Sequence, residues 1–179
     1  MNKNEACGRS EYVPFISEVE EFNAAMDKPN NYSPVIPSKK EWQFVVDFIR
    51  EETAELEEAC KNGDIVEILD ALCDLTVVSL GNGAMLFGLK DRILDAYAEV
   101  HASNMSKACR NEEIAKASVK AMEEKYGEPY YYEKVGDKYV TYRKRDKKVG
   151  KSIEYFRPNL KKFFTEEEIQ KCHDDVIKA

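Results

Sequence analysis

Between Glu51 and Asp74 this chain carries acids where a folded helix should be apolar, and that conflict constrains it more than any other stretch. Glu51, Glu52 and Glu55 come first, Asn62-Gly63 breaks the pattern, and Glu67, Asp70 and Asp74 follow. At 100° per residue, Glu52 falls in the centre of the arc formed by Val45, Phe48, Ile49, Leu56 and Ala59. Glu55 lies inside the same arc and Glu51 at its margin, whereas Glu57 and Glu58 point away. On the following segment Asp70 and Asp74 fall together, flanked by Val66, Val77 and Val78, with Glu67 on the same side. The pattern predicts two facing helices that both turn carboxylates inward.

Inward carboxylates need a proton or a counter-charge. The like-charged i,i+4 pairs Glu51/Glu55 and Asp70/Asp74 each cost about 0.2–0.5 kcal/mol even when exposed. No Lys or Arg stands between Asp64 and Leu80 to offset them. A divalent cation held by oxygen ligands is the simplest remedy, and an all-oxygen set suits Mg²⁺ or Mn²⁺ better than zinc. A merely solvated acidic face would not run through the apolar stripe.

The remaining composition narrows the class. At 43% hydrophobic, 179 residues suit one domain with a real core and a small appendage. A net charge of −7 argues against broad nucleic-acid binding, so nucleic acid is not an expected partner. No apolar run approaches the length of about 18 residues that spans a membrane, and Met1 to Arg9 is charged rather than signal-like. We therefore expect no membrane association and a cytoplasmic location. Cys7, Cys60, Cys73, Cys109 and Cys172 lack C-x-x-C spacing, which argues against a disulfide framework or a zinc site. His101 and His173 leave little room for His-based nucleophilic catalysis.

Along the chain, Phe15, Val19, Phe22 and Met26 predict an amphipathic helix from about Pro14 to Met26, and the prolines between Lys28 and Pro37 predict a loop. Ser38-x-x-Glu41 reads as a capping box for a long helix over about 39–61. Asp64-x-x-Glu67 reads as a second cap, and a Glu67 side chain reaching back to the Asp64 amide would be less available to a metal. The next helix, to about Leu86, is apolar nearly all round apart from its acids, as expected of a central helix covered partly by another subunit. A further helix runs to about Lys107, and Asn111 caps another that ends near Gly127. Tyr130–Val135 and Lys138–Arg143 around Gly136-Asp137 predict a β-hairpin. Six basic residues in the nine from Arg143 to Lys151 follow it. They read as a solvated hairpin end or as a lid, and Thr165-x-x-Glu168 opens a short terminal helix.

Four motifs in order then bring a family into view. The Glu-Glu-x-x-Glu cluster, Asp-Ala-Leu-Cys-Asp-Leu at 70–75, Glu-Val-His-Ala-Ser-Asn-Met-Ser-Lys at 99–107 and Lys-Val-Gly-Lys-Ser-Ile-Glu-Tyr at 148–155 resemble the MazG-like all-α nucleoside triphosphate pyrophosphohydrolases. That superfamily includes all-α dUTPases and phosphoribosyl-ATP pyrophosphohydrolase. The resemblance implies an all-α fold, a four- to five-helix bundle with a small C-terminal β-hairpin appendage. We divide the chain accordingly into a helical core at 10–127, a hairpin and lid-like segment at 128–160, and a tail at 161–179. It implies Mg²⁺-dependent hydrolysis between the α and β phosphates of a nucleoside triphosphate, with Mn²⁺ as the other suitable ion.

On this resemblance Glu52, Glu55, Asp70 and Asp74 are assigned to metal, with Glu51 and Glu52 as the catalytic pair. Glu51 is either a ligand or the base that orients water. The family's second motif, Glu-x-x-Asp, fits Glu67/Asp70 by letter, whereas Asp70/Asp74 fits its hydrophobic context, so both pairings stay open. Asn104 and Lys107, i,i+3 neighbours, are candidates for phosphate or sugar contacts, and Lys151 and Tyr155 join them through the late motif. His101 reads as structural. Phe22, Asn23 and Trp42 are open between base contact and core. A homodimer or homotetramer is the expected assembly, and a non-catalytic nucleotide- or metal-binding regulator is the alternative function.

Overall fold

The computed structural model describes residues 15–178, and the expected helix start at Pro14 lies outside the described residues, as does Cys7. The described residues are mostly helical with one small antiparallel sheet. The described residues form two compact units, one of residues up to Leu94 together with those from Phe164 onward, the other Asp95–Phe163.

In the first unit, α1 (Phe15–Ala25) buries Ile16, Val19 and Asn23. The proline loop then runs to α2 (Lys39–Asn62), which Ser38 and Glu41 open by reciprocal capping, with Ser38 N–H donating to Glu41 Oε2 at 2.9 Å. Gly63 closes α2 in the left-handed region at φ 67°. Asp64 caps α3 (Ile65–Leu75) by accepting from the amides of Val66 and Glu67. Its own amide donates to Ala59 O. The return bond expected from Glu67 therefore has no free donor to reach, and its carboxylate is not committed to the cap.

The helix expected to continue unbroken to Leu86 changes pitch. Thr76–Asn82 is π-helical, and α4 (Gly83–Leu86) follows. The π-helical segment lies against α1 so closely that a Cβ on Gly81 would stand 2.5 Å from Val19 Cγ2. Two apolar clusters hold these pieces together. Ile16 and Val19 pack with Ala84 and Met85, and Val45 packs with Val78 and Leu86 against Trp42, Phe48 and Ile49. The proline loop is pinned to the end of α4, where Asn31 Nδ2 donates to Leu86 O at 2.7 Å. Gly88 at φ 66° leaves room for Ser33 O, which would otherwise lie 1.9 Å from a Cβ.

The expectation that α3 is buried on all sides is not met within one chain. Ile65, Val66, Leu69 and Leu72 are exposed, Ile65 by 73%, because α2 covers only one flank of the helix. α5 (Lys90–Met105) begins in this unit, and α7 (Glu166–Lys178) is tied to its start by a two-pronged Arg92–Glu168 pair. Thr165 and Glu168 cap α7 reciprocally, as the sequence indicates.

In the second unit, Asn111 caps α6 (Glu112–Tyr126), and Gly127 at φ 66° ends it. β1 (Tyr130–Val135) and β2 (Lys138–Arg143) pair from Tyr130↔Arg143 to Val135↔Lys138 across Gly136, whose φ is 61°. The hairpin packs on α6. No helix among the described residues is long and apolar enough to cross a membrane.

Candidate functional site

The α2–α3 hairpin puts the acids together. Glu52 is half-buried, and its Oε2 is shut off from solvent without a hydrogen-bond partner. Its pKa is raised, first by burial and then by the charges of Glu55, Asp74, Glu51 and Asp70. The five acids are therefore electrostatic neighbours with Glu52 at their centre. Glu67 is not among the charges that act on Glu52, which sets Asp74 apart from it.

Exposure divides the set. Asp74 is half-buried beside Glu52, while Glu51, Glu55, Asp70 and Glu67 are exposed. The outer flank of α3 is open in a single chain, so of Glu52, Glu55, Glu67, Asp70 and Asp74, all expected to turn inward, only Glu52 and Asp74 are half-buried. Among the described residues, no cation pairs with any of the six. No three His, Cys, Asp or Glu side chains among them are gathered tightly enough to enclose an ion as they stand. Uncompensated like charges do hold apart in this way.

The residues nevertheless fit a hard cation. Every donor is a carboxylate oxygen, and Glu52 Oε2 is taken out of solvent without a partner. Glu52, Glu55, Asp70 and Asp74 are the residues that would hold it.

A second feature of this unit is a cavity of about 610 Å³ lined by α1, the proline loop, α2 and the π-helical segment. Its apolar walls are Phe44, Val45, Phe48, Val78 and Leu86, and Asn23 and Asn82 supply amides. The Oδ1 atoms of both asparagines are buried and unpartnered. Of the three base-contact candidates from the sequence, only Asn23 lines this cavity. Trp42 packs into the core, and Phe22 is exposed beneath Lys28 Nζ. Phe44, Phe48 and Asn82 were missed, since two aromatics on an apolar stripe read as core and an Asn beside Gly83 reads as a helix end.

The remaining candidates lie in the second unit and come together there. Lys107 Nζ donates to Asn104 Oδ1 at 2.8 Å, and Lys151 Nζ lies 4.4 Å from the centre of the Tyr155 ring. Ser152 N–H donates to Lys107 O at 3.1 Å, and Ser103 Oγ donates to Phe156 O at 2.9 Å, joining the two late motifs. The two arginines of the basic run are otherwise engaged. Arg143 pairs with Asp146 and Glu128, and Arg145 pairs with Glu128.

Residues 19–104 match the family model for phosphoribosyl-ATP pyrophosphohydrolase. That span, just under half of the chain, contains the acids, both cavity asparagines and Asn104 but ends before Lys107. A comparison with curated proteins finds no match.

Proposed function

Because residues 19–104 are a domain of the phosphoribosyl-ATP pyrophosphohydrolase family, within the MazG-like all-α nucleoside triphosphate pyrophosphohydrolase superfamily, we propose a specific form of that pyrophosphohydrolase chemistry here. The substrate is a nucleoside triphosphate, cut between its α and β phosphates to the monophosphate and pyrophosphate, with Mg²⁺ or Mn²⁺ as cofactor. The observation that carries this reading is the buried, partnerless carboxylate oxygen of Glu52 amid four other acids, with no cation paired to them among the described residues.

A divalent cation bound there supplies charge neutralisation for the phosphates and a water acidified toward hydroxide. The protein's own part is to position and to take a proton. Glu52, Glu55, Asp70 and Asp74 provide the oxygens. Glu51, exposed next to Glu52, receives the proton of the attacking water as the water oxygen bonds to phosphorus and the bridging P–O bond breaks. The electron pair of that bond leaves with the departing phosphate oxygen. Asn104, Lys107, Lys151 and Tyr155 are proposed as phosphate or sugar contacts. Each lysine is engaged only by a neutral neighbour, which a phosphate oxygen would readily replace.

The cavity of the first unit is proposed as the nucleobase site, since its aromatic and apolar walls suit a flat heteroaromatic ring and its polar lining, Asn23 and Asn82 with Ser38, Lys28, Lys40 and Glu41, offers hydrogen-bonding groups. The exposed apolar flank of α3 supports a homodimer or homotetramer. A cytoplasmic location belongs to the same proposal, supported by the exposed free thiols of Cys60 and Cys73.

The test is product analysis after incubation with a panel of triphosphates and Mg²⁺, Mn²⁺ or chelator. Monophosphate and pyrophosphate that depend on metal are expected. Diphosphate and phosphate would overturn the reading, and binding without turnover would point instead to a regulator.

A further inference from the structure

We propose that the cavity beside α1 selects nucleobases bearing an amino group where uracil, thymine and hypoxanthine bear a carbonyl, and that Asn30 imposes that choice through Asn23. The inference rests on the nucleotide reading above.

Its basis is a hydrogen-bond relay with one possible direction. The main-chain carbonyl of Glu20 can only accept, so Asn30 must turn its Nδ2 toward it, at 3.2 Å. Asn30 Oδ1 then faces Asn23 and accepts from Asn23 Nδ2 at 3.1 Å. Asn23 Oδ1 is thereby held on the far side of its amide as an acceptor. Flipping Asn23 alone would set two oxygens against each other, and flipping Asn30 as well would move that clash to Glu20.

Asn23 is 2% exposed and lines the cavity, and its Oδ1 has no partner. A buried acceptor left in this condition is satisfied by a donor brought against it, and the cavity, whose lining also includes Lys28, Ser38 and Lys40, is where a base could bring one. Asn82, from the π-helical segment, brings a second buried and unpartnered oxygen to the same lining. The 4-amino group of cytosine or the 6-amino group of adenine has N–H bonds to give. The keto oxygen at the same ring position would meet Asn23 Oδ1 lone pair to lone pair. Asn30 is a positioning residue in this account, because it touches Asn23 and not the base.

The experiment measures binding of CMP, AMP, UMP and IMP by thermal shift and titration, with pyrophosphate release from the four triphosphates followed in parallel. Monophosphates report the base site without any hydrolysis. The expected result is a preference for CMP or AMP over its keto counterpart on the order of 10²-fold, the effect of leaving one buried polar group unpaired. In Asn30→Ala the Asn23 amide is free to turn, and the preference should fall to about tenfold or less with amino-base binding largely kept. Asn30→Asp can still accept from Asn23 and should keep the preference. A purely structural Asn30 would weaken all four ligands together.

Equal or tighter binding of UMP and IMP, an unchanged preference in Asn30→Ala, or no binding of any of the four would overturn the proposal. Amino-selective binding without pyrophosphate release would uphold it and sink the hydrolase reading. Pyrophosphate released at equal efficiency from CTP and UTP and from ATP and ITP would do the reverse.

Discussion

Two stretches of this chain are dense in charge, and they resolve in opposite ways. In the basic turn at the end of β2 both arginines find acidic partners: Arg143 is gripped by Asp146 and Glu128, and Arg145 shares Glu128. The bond from Arg143 holds the Asp146 carboxyl down at about 2. The acidic α2–α3 hairpin does the contrary. Its carboxylates have no cation among the described residues, and burial with four like charges pushes Glu52 up. Density of charge in a sequence thus does not mark a site. Charge that the fold leaves unpaired is the better mark, because a fold for stability alone would have supplied a partner.

The sharpest way to break this contrast is to neutralise one member of each region. Glu52→Gln should lower pyrophosphate release by about 10²–10³-fold, while the melting temperature of the metal-free protein rises because a raised, partnerless acid is gone. Asp146→Asn should do the opposite, lowering the melting temperature by a few degrees with turnover kept within a few-fold. Scanning calorimetry and a pyrophosphate assay on the same preparations decide it, and parallel behaviour of the two variants would erase the distinction.

Within the acidic region, Asp74→Asn should cost at least ten times more activity than Glu67→Gln. Asp74 acts on Glu52 and Glu67 does not. The reverse order in a steady-state assay would give the second motif to Glu67 and Asp70.

The acid titration of stability carries the smallest and most diagnostic signal. The carboxyls of Asp146 and Glu168 lie at about 2 in the folded state, below their ordinary values of 3.8 and 4.5. Their contribution is therefore complete above pH 4.5 and is lost as pH falls toward 2. Glu52 has the other sign: its ionised form is disfavoured in the fold, so that cost is relieved as pH falls through its raised pKa toward 4.5. Metal-free protein should gain slightly in melting temperature on mild acidification and lose it steeply below pH 4.5. Saturating Mg²⁺ should abolish the gain, and a gain that persists with Mg²⁺ would assign it to some group other than Glu52.

Much of this was legible in the sequence because local chemistry wrote it there. Ser38 with Glu41, Thr165 with Glu168, Gly63, Asn111 and Gly136 each mark a cap or turn that forms where expected. The Glu52-centred cluster follows from helical spacing alone. Other parts depend on tertiary contact and left no local mark. The π-helical turn at Thr76–Asn82 accommodates α1 against Gly81, and nothing in its letters distinguishes it from α-helix. Asn82 reaches the cavity only through that turn. Phe44 and Phe48 share an apolar stripe with residues such as Ile49 that pack in the core without lining the cavity, and only the fold shows which of them form its wall. The cap at Asp64 misled in a smaller way. Its amide is already taken by Ala59 O, which frees the Glu67 carboxylate that the motif had seemed to occupy.

The most direct test of the central claim is Mn²⁺ binding in the absence of nucleotide, followed by electron paramagnetic resonance on the wild-type protein and on Glu52→Gln. If the unpaired carboxylates around Glu52 hold the cofactor, the wild type binds Mn²⁺ saturably, Mg²⁺ displaces it, and the variant loses affinity by about tenfold or more. Equal affinity in the two proteins, or no saturable binding in the wild type, would contradict the assignment of this hairpin as a metal site.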